Sequence, residues 1–414
     1  MKILFFNPSG LLGGGERALL DLMISMRARV PTANIHLLIC ESGPFAELAA
    51  KCDFSVSVLP MPKTLANFGD SQLNLAAMNS ERKKSRWLLS LVGASLASVP
   101  YLLRLRSVLL SMSPDLIHSN GLKCHLLAAI AKPHFSVLIW HVRDMIGQRS
   151  VISKLLRLVE KRVSGIIAIS QAVRKDFERV SNNIPAVVVY DGIDLRRFNT
   201  SDKKRSFNSD RLDQMNSPFE DCIRIGIVAT FARWKGQDLF LEAVAIFKSL
   251  RADLNVKFYI VGGAIYKTTG SQFTEDELKK LAEKLLCLRD ITFTGFIEDI
   301  TQVYKYLDIV VHASTKPEPF GLTIVEAMAS GKAVIAANAG GAAEIFQNDY
   351  DALGVPPSNA CALAAAMIRL AEDKVLRERL GKAGQATAIA RFSRDRLGAE
   401  MFAAYQAFNI ASKE

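Results

Sequence analysis

The stretch Pro317-Glu318-Pro319-Phe320-Gly321-Leu322-Thr323-Ile324-Val325-Glu326-Ala327-Met328-Ala329-Ser330-Gly331 sets two carboxylates in a frame suited to a sugar phosphate. Two prolines hold Glu318 in a turn after an expected strand, and Glu326 falls about one turn into the following helix. Both can face the space above the helix N-terminus. Backbone N–H groups of Phe320, Gly321 and Leu322 are open to an anion there. A carboxylate at such a place can accept two sugar hydroxyls. The plainer alternative has Glu318 facing solvent and Glu326 paired with a lysine; the proline and glycine framing argues against it. Gly340-Gly341-Ala342-Ala343-Glu344 repeats a glycine turn followed by an acid.

Two further loops carry chemistry. In Thr230-Phe231-Ala232-Arg233-Trp234-Lys235-Gly236-Gln237 the Arg and Lys could neutralise a diphosphate, one as a fork and the other as a point charge. A solvated basic loop is the competing reading. Gly10-Leu11-Leu12-Gly13-Gly14-Gly15-Glu16-Arg17-Ala18 opens a helix with three glycines, which lets backbone N–H groups approach a phosphate or sugar. It is neither the GxGxxG dinucleotide fingerprint nor a P-loop, and a flexible turn would use the same residues.

Each of these loops follows an expected strand and leads toward a helix. Short Ile, Val and Leu runs without polar alternation read as strands buried on both faces of a parallel sheet. The first series comprises 2–7, 36–40, 55–59, 115–119, 136–141, 165–170 and 186–190. The second comprises 223–229, 256–261, 291–294, 309–313 and 333–336. Between the series, residues 200–221 are polar and Ser/Asn-rich, as in a linker. The expectation is an α/β protein with two tandem doubly wound Rossmann-like domains, residues 1–199 and 222–392, and ligands in the interdomain cleft.

The chain resembles the retaining GT-B glycosyltransferases of family 4, the glycosyl transferases group 1. Glu318 and Glu326 stand at that family's Glu-x7-Glu spacing. Trp234-Lys235-Gly236-Gln237, Gly295-Phe296 and Gly340-Gly341 with Glu344 also match. In the first half the likeness rests on Gly13–Gly15, Trp140-His141-Val142-Arg143-Asp144, Ser170-Gln171-Ala172-Val173 and Asp191-Gly192-Ile193-Asp194.

The resemblance implies roles. Lys235 would hold the donor diphosphate, Glu326 the ribose hydroxyls and Glu318 hydroxyls of the transferred sugar. The backbone at Phe320, Gly321 and Leu322 would bind sugar and phosphate; Gly295 and Phe296 would lie by the base. Gly14 and Gly15 would pack on the diphosphate, and His141 would sit by the sugar and the reaction centre. The helix 393–414 is expected to return to the N-terminal domain. The reaction implied is same-face transfer, in which a departing phosphate oxygen helps to remove the acceptor proton. That asks for leaving-group stabilisation and positioning rather than a dedicated base. No metal and no cofactor is expected; the nucleotide-diphosphate sugar is substrate.

One departure stands out. Thr230 occupies the place where the family usually has an arginine, which leaves Arg233 as the nearby candidate for the diphosphate. Asp349-Tyr350-Asp351 matches a metal-binding DxD pattern but sits in a turn before a short strand, so a metal role is rejected. His118, His125 and His312 have no partner at metal-ligand spacing, and His312 reads as packed or hydrogen-bonded. The six cysteines are scattered, several in apolar runs, as expected of free thiols in a reducing compartment.

Composition sets the outer bounds. Half of the residues are hydrophobic and 22% are charged, which excludes collagen-like, coiled-coil and disordered chains. Of the net charge of +11, residues 1–195 supply +9, from 23 Lys/Arg against 14 Asp/Glu. An acidic partner should therefore meet the first half, but no nucleic-acid reader motif accompanies the charge and nucleic acid is not expected. Trp87–Leu103 is nearly uncharged, broken by Pro100, and flanked by Arg82, Lys83, Lys84, Arg86, Arg104 and Arg106. It is too interrupted to span a membrane. A helix lying on an anionic membrane surface and a buried helix with solvated ends both fit. The reading that results is a cytoplasmic glycosyltransferase, associated with the membrane face through residues 82–106, using a nucleotide-sugar donor and a sugar or lipid-linked acceptor. A non-catalytic nucleotide-sugar-binding protein and a sugar-nucleotide epimerase of the same shape are the alternatives.

Overall fold

The computed structural model describes residues 1–66, 98–147, 149–198, 222–264 and 270–408. The expected linker 200–221 and most of the Trp87–Leu103 segment lie outside them. The chain forms two compact units, Met1–Gly192 with Arg394–Glu414, and Ile193–Ser393.

In the first unit seven parallel strands run in the order β3-β2-β1-β4-β5-β6-β7. They are β1 (Lys2–Asn7), β2 (Asn34–Ile39), β3 (Ser55–Val58), β4 (Leu116–Asn120), β5 (Val137–Val142), β6 (Gly165–Ala168) and β7 (Ala186–Val188). The second unit holds six, ordered β10-β9-β8-β11-β12-β13. These are β8 (Ile223–Val228), β9 (Val256–Val261), β10 (Ile291–Gly295), β11 (Ile309–His312), β12 (Ala333–Ala337) and β13 (Leu353–Val355), all parallel. Every residue of β4, β11 and β12 is buried, which is why these runs lack polar alternation. The chain is thus an α/β protein of two doubly wound sheets.

The strand order reverses between β1 and β4 in one sheet and between β8 and β11 in the other. At each reversal the loops leave in opposite directions and open a crevice beyond the carboxyl ends of the strands. The glycine loop 10–15 follows β1, the 230–236 loop follows β8, and Glu318 follows β11. Topology alone therefore places the chemical motifs where a ligand would be met.

One long helix, Lys374–Phe392, has no counterpart among the expected elements. Its glycines disguise it. A Cβ at Gly381 would lie 2.4 Å from the Gly331 carbonyl oxygen, and one at Gly384 would lie 3.0 Å from that of Asp351. The helix packs backbone to backbone, so glycine is required where propensity disfavours it. The helix Arg394–Ala407 lies against the helix Gly14–Arg29. A Cβ at Gly398 would sit 2.2 Å from the Ser25 carbonyl oxygen. Arg394 pairs with Asp21 at 2.8 Å, and Leu397, Met401 and Tyr405 enter the core beside Phe5 and Leu19. The final helix is thus an integral part of the first unit.

Candidate active site

In the second unit, loops from both sides of the switch point meet. The Lys235 ammonium donates to both oxygens of Glu318, at 2.8 and 2.9 Å. Oε2 of Glu318 also accepts from Ser314 Oγ at 2.7 Å and lies 3.1 Å from His312 Nε2. Glu318 is only 6% exposed. Burial raises its carboxyl pKa, but the Lys235 charge and the His312 hydrogen bond overcome this and hold it well below the usual carboxylate range. The site therefore keeps a buried carboxylate ionised.

Glycines make this approach possible. Gly236, at φ +78°, turns the chain after Lys235; a Cβ there would fall 2.0 Å from the Ala313 carbonyl oxygen. The Trp234 carbonyl accepts from the Thr315 N–H at 2.8 Å, which ties the lysine loop to the loop after β11. Gly341 N–H donates to the Glu318 carbonyl at 2.7 Å. Gly340, with φ +67° and ψ −147°, lies so close that a Cβ would be 2.5 Å from that same oxygen. The paired glycines are the backing against which Glu318 is set.

Phe320, Gly321 and Leu322 lead into the helix Leu322–Ala329, whose N-cap is Gly321 with no side-chain cap. Its first amides have no intrahelical acceptor and carry the positive end of the helix dipole. Phe320 is buried against Phe392. Glu326 accepts a 2.8 Å hydrogen bond from the Tyr304 hydroxyl. Burial, reinforced by the Glu326 charge, pushes the Tyr304 hydroxyl well above its ordinary range, so it stays a donor. Gly295 ends β10 with its carbonyl accepting from Gly262 N–H at 3.0 Å, and Phe296 is exposed beside it.

Arg233 is placed elsewhere. Its guanidinium donates to Glu277 Oε1 at 2.8 Å and stacks over Phe273, half exposed. The expected diphosphate cation is thus engaged in a surface ion pair apart from the Lys235 cluster. The carbonyl of Thr230 accepts from the Gln237 side chain at 2.8 Å, which stiffens the same loop. In the DxD turn, Asp351 is buried and occupied by Gln347 N–H and Thr387 Oγ1, while Asp349 pairs with Arg369. Both carboxylates serve the turn.

The first unit assembles a second polar set at its own switch point. Gly13 caps the helix Gly14–Arg29, its N–H donating to Glu16 Oε2 at 3.2 Å, and burial raises the Glu16 carboxyl. The missing Cβ of Gly15 faces Arg143 Nε at 3.8 Å. Arg143 forms a bidentate pair with Asp191 at 2.9 and 2.5 Å. His141, at the end of β5, contacts His118 ring to ring, Nδ1 to Nε2, at 3.0 Å. Its Nε2 is buried and has no partner among the described residues. His118, His125 and His141 are all held below the ordinary histidine range by burial, the first two to about 3.

Tyr304 and Ser314 belong to the site but carry no motif of their own. Ser314 lies within the His312-to-Glu318 run and was open to notice; Tyr304 reaches Glu326 only through packing.

The model of the glycosyl transferases group 1 matches residues 209–387, and that of glycosyltransferase family 4 matches residues 13–197. An uncharacterized glycosyltransferase of Methanocaldococcus jannaschii is 26% identical over 55% of this chain and 54% of its own. A lipopolysaccharide core biosynthesis mannosyltransferase, LpsB of Rhizobium meliloti, is 30% identical over 42% of this chain and 46% of its own. The matches thus span about half the length of these curated relatives. Among solved structures, HepE of Anabaena in complex with UDP and glucose superposes with a TM-score of 0.78 at 25% identity, covering 98% of this chain and 100% of that one.

Proposed function

We propose that this chain, which belongs to the group 1, family 4 glycosyltransferases of the GT-B fold, moves a sugar from a nucleotide-diphosphate sugar to an acceptor hydroxyl with retention of configuration. The observation that carries the reading is the buried Glu318 carboxylate, kept ionised by Lys235 in the loop that leads into an uncapped helix N-terminus. Such a site offers an acceptor for sugar hydroxyls beside two sources of positive potential for a departing diphosphate. The complexes of HepE with UDP-glucose and with UDP and glucose support a donor of this class.

In this reading Lys235 and the N–H groups of the 322–329 helix stabilise the leaving diphosphate. Glu318 holds hydroxyls of the transferred sugar, and Glu326, set by Tyr304, takes the ribose hydroxyls. Gly295 and Phe296 serve the base. His141, Gly14 and Gly15 are assigned to the sugar and diphosphate. The acceptor hydroxyl enters on the face from which the diphosphate departs and gives its proton to a phosphate oxygen. Positioning and charge stabilisation then supply most of the acceleration, and neither a divalent ion nor a cofactor is called for.

The acceptor class is a sugar or lipid-linked sugar of cell-surface polysaccharide or glycolipid synthesis. The Rhizobium relative, a lipopolysaccharide core mannosyltransferase, supports that choice. Among the described residues no helix is long and apolar enough to cross a membrane. Attachment would run through residues 82–106, on the cytoplasmic face. The test is a screen of labelled nucleotide sugars for binding and slow hydrolysis, with and without chelator. Binding and release of a nucleoside diphosphate by the native chain, lost in Glu318→Ala, is expected. Binding without turnover would favour a non-catalytic sugar-nucleotide-binding protein.

A further inference from the structure

We propose that Tyr405 is a positioning residue that acts through His118 to fix His141 in the tautomer presenting Nε2–H, so that His141 takes a hydrogen-bond-accepting oxygen of the sugar. The proposal rests on the assignment of His141 to the transferred sugar.

Three buried side chains stand in line. The Tyr405 hydroxyl lies 2.8 Å from His118 Nδ1, and His118 Nε2 lies 3.0 Å from His141 Nδ1. Their exposures are 1%, 0% and 2%, so the line is shielded from bulk solvent. Tyr405 and His118 are 287 residues apart and meet because the last helix is fastened to Asp21 and Ser25. Beyond His141 the line ends at Nε2, which has no partner among the described residues.

Proton counting selects one arrangement. A neutral imidazole has one donor and one acceptor nitrogen. If Tyr405 donates to His118 Nδ1, then His118 Nε2–H donates to His141 Nδ1, and His141 must carry its proton on Nε2. The reverse order makes Tyr405 an acceptor and leaves its own hydroxyl proton without a partner, because His118 is its sole polar contact among the described residues. A stranded buried donor is costly, so the first order holds. Burial and the nearby Arg143 charge keep the imidazoles neutral. His141 then offers a fixed N–H: it accommodates a hydroxyl or ring oxygen and disfavours a group that can only donate. Loss of the Tyr405 hydroxyl removes the asymmetry, because either orientation then leaves one unpaired nitrogen at His118.

The test uses the full chain labelled with 15N-histidine. Six histidines give a small set of resonances, assignable with His141→Gln and His118→Asn. In the native protein His141 is expected to show a pyrrole-type Nε2 and a pyridine-type Nδ1. In Tyr405→Phe the two are expected to move toward each other as tautomers mix, while kcat/KM for transfer falls roughly fivefold, the worth of one hydrogen bond. In a His141→Gln background the same change should cost nothing further, whereas a purely structural role would add. Unmoved His141 resonances in a folded Tyr405→Phe protein, a native His141 protonated on Nδ1, or additive losses would overturn the proposal. If Tyr405→Phe does not fold, 3-fluorotyrosine at position 405 keeps the size and strengthens the donor; it must shift His118 Nδ1 and, through it, His141. The resonances need no turnover. A Tyr405-dependent tautomer in a protein that turns over no nucleotide sugar would therefore leave the positioning relation standing and sink the glycosyl-transfer reading.

Discussion

The Lys235 ammonium sits between the two oxygens of Glu318, at 2.8 and 2.9 Å, and so joins the loop after β8 to the loop after β11. The pair presents a cation and an ionised carboxylate side by side at the switch point of the second sheet. Removing either member of a buried pair leaves the other charge uncompensated, so the pair helps to hold the two loops together. Ser314 and His312 on Glu318 offset part of that cost.

Lys235 and Arg233 stand two residues apart but in different surroundings, and their substitutions should differ. Lys235→Ala is expected to lower donor affinity between about tenfold and a hundredfold, the range of a lost charge-assisted hydrogen bond. Arg233→Ala removes a half-exposed pair with Glu277 and is expected to change it by no more than about threefold. Titration calorimetry with the donor decides. Equal losses would show that Arg233 leaves Glu277 for the diphosphate.

Gly340 supports Glu318 through backbone contact. Gly340→Ala is expected to destabilise the chain by about 2 kcal/mol or more, since the conformation is nearly glycine-only and the Cβ meets the Glu318 carbonyl. It should also cut kcat by displacing the carboxylate. Gly270, likewise at positive φ but with nothing within 4 Å, is the control, and alanine there should cost about 1 kcal/mol. Chemical denaturation and kinetics compare the two. A Gly340→Ala protein as active as the native chain would refute the supporting role.

The buried histidines give a pH dependence with a definite sign. His118 and His125 bind protons at about 3 when folded and near 6.5 when unfolded. Between those values the unfolded chain binds more protons, so stability falls as pH falls. From pH 7.5 to 5.5 the expected loss is roughly 1 kcal/mol for each histidine. Glu318, with its depressed pKa, contributes its own loss only as pH drops below the ordinary carboxylate range. Denaturant midpoints for the native chain and His125→Gln test this: the variant should show the shallower slope, and identical slopes would contradict it.

Membrane attachment is open to a direct assay. The helix over residues 98–112 exposes Val99, Leu103 and Leu110, and Arg104 and Arg106 lie on it. Sedimentation with anionic vesicles should be salt-sensitive, and each of Arg82, Lys83, Lys84 and Arg86 neutralised should weaken it about fivefold. Absence of binding at low salt would dismiss the membrane partner.

The legible parts of this chain were those that repeat locally. Parallel strands announced themselves as unbroken apolar runs, and Glu318 and Glu326 are separated by one turn-and-helix unit that spacing can describe. Tyr304 and Tyr405 were illegible because their partners are chosen by packing: Tyr304 hangs on Glu326 from another helix, and Tyr405 reaches His118 across 287 residues of chain. The Lys374–Phe392 helix was hidden for the opposite reason, since Gly381 and Gly384 violate propensity to allow backbone contact. Arg233 illustrates a third limit. Charge type was readable, but the choice between a diphosphate and Glu277 is decided by where its loop places the fork.

The most direct test follows the anomeric configuration of the sugar released from a turned-over nucleotide-diphosphate sugar by real-time NMR, in the native chain and in Glu318→Gln. Release of a nucleoside diphosphate is expected, with a product of the donor's own anomeric configuration and a rate at least tenfold lower in the variant, whose neutral amide cannot replace the carboxylate. Inverted product, or turnover indifferent to Glu318, would contradict it.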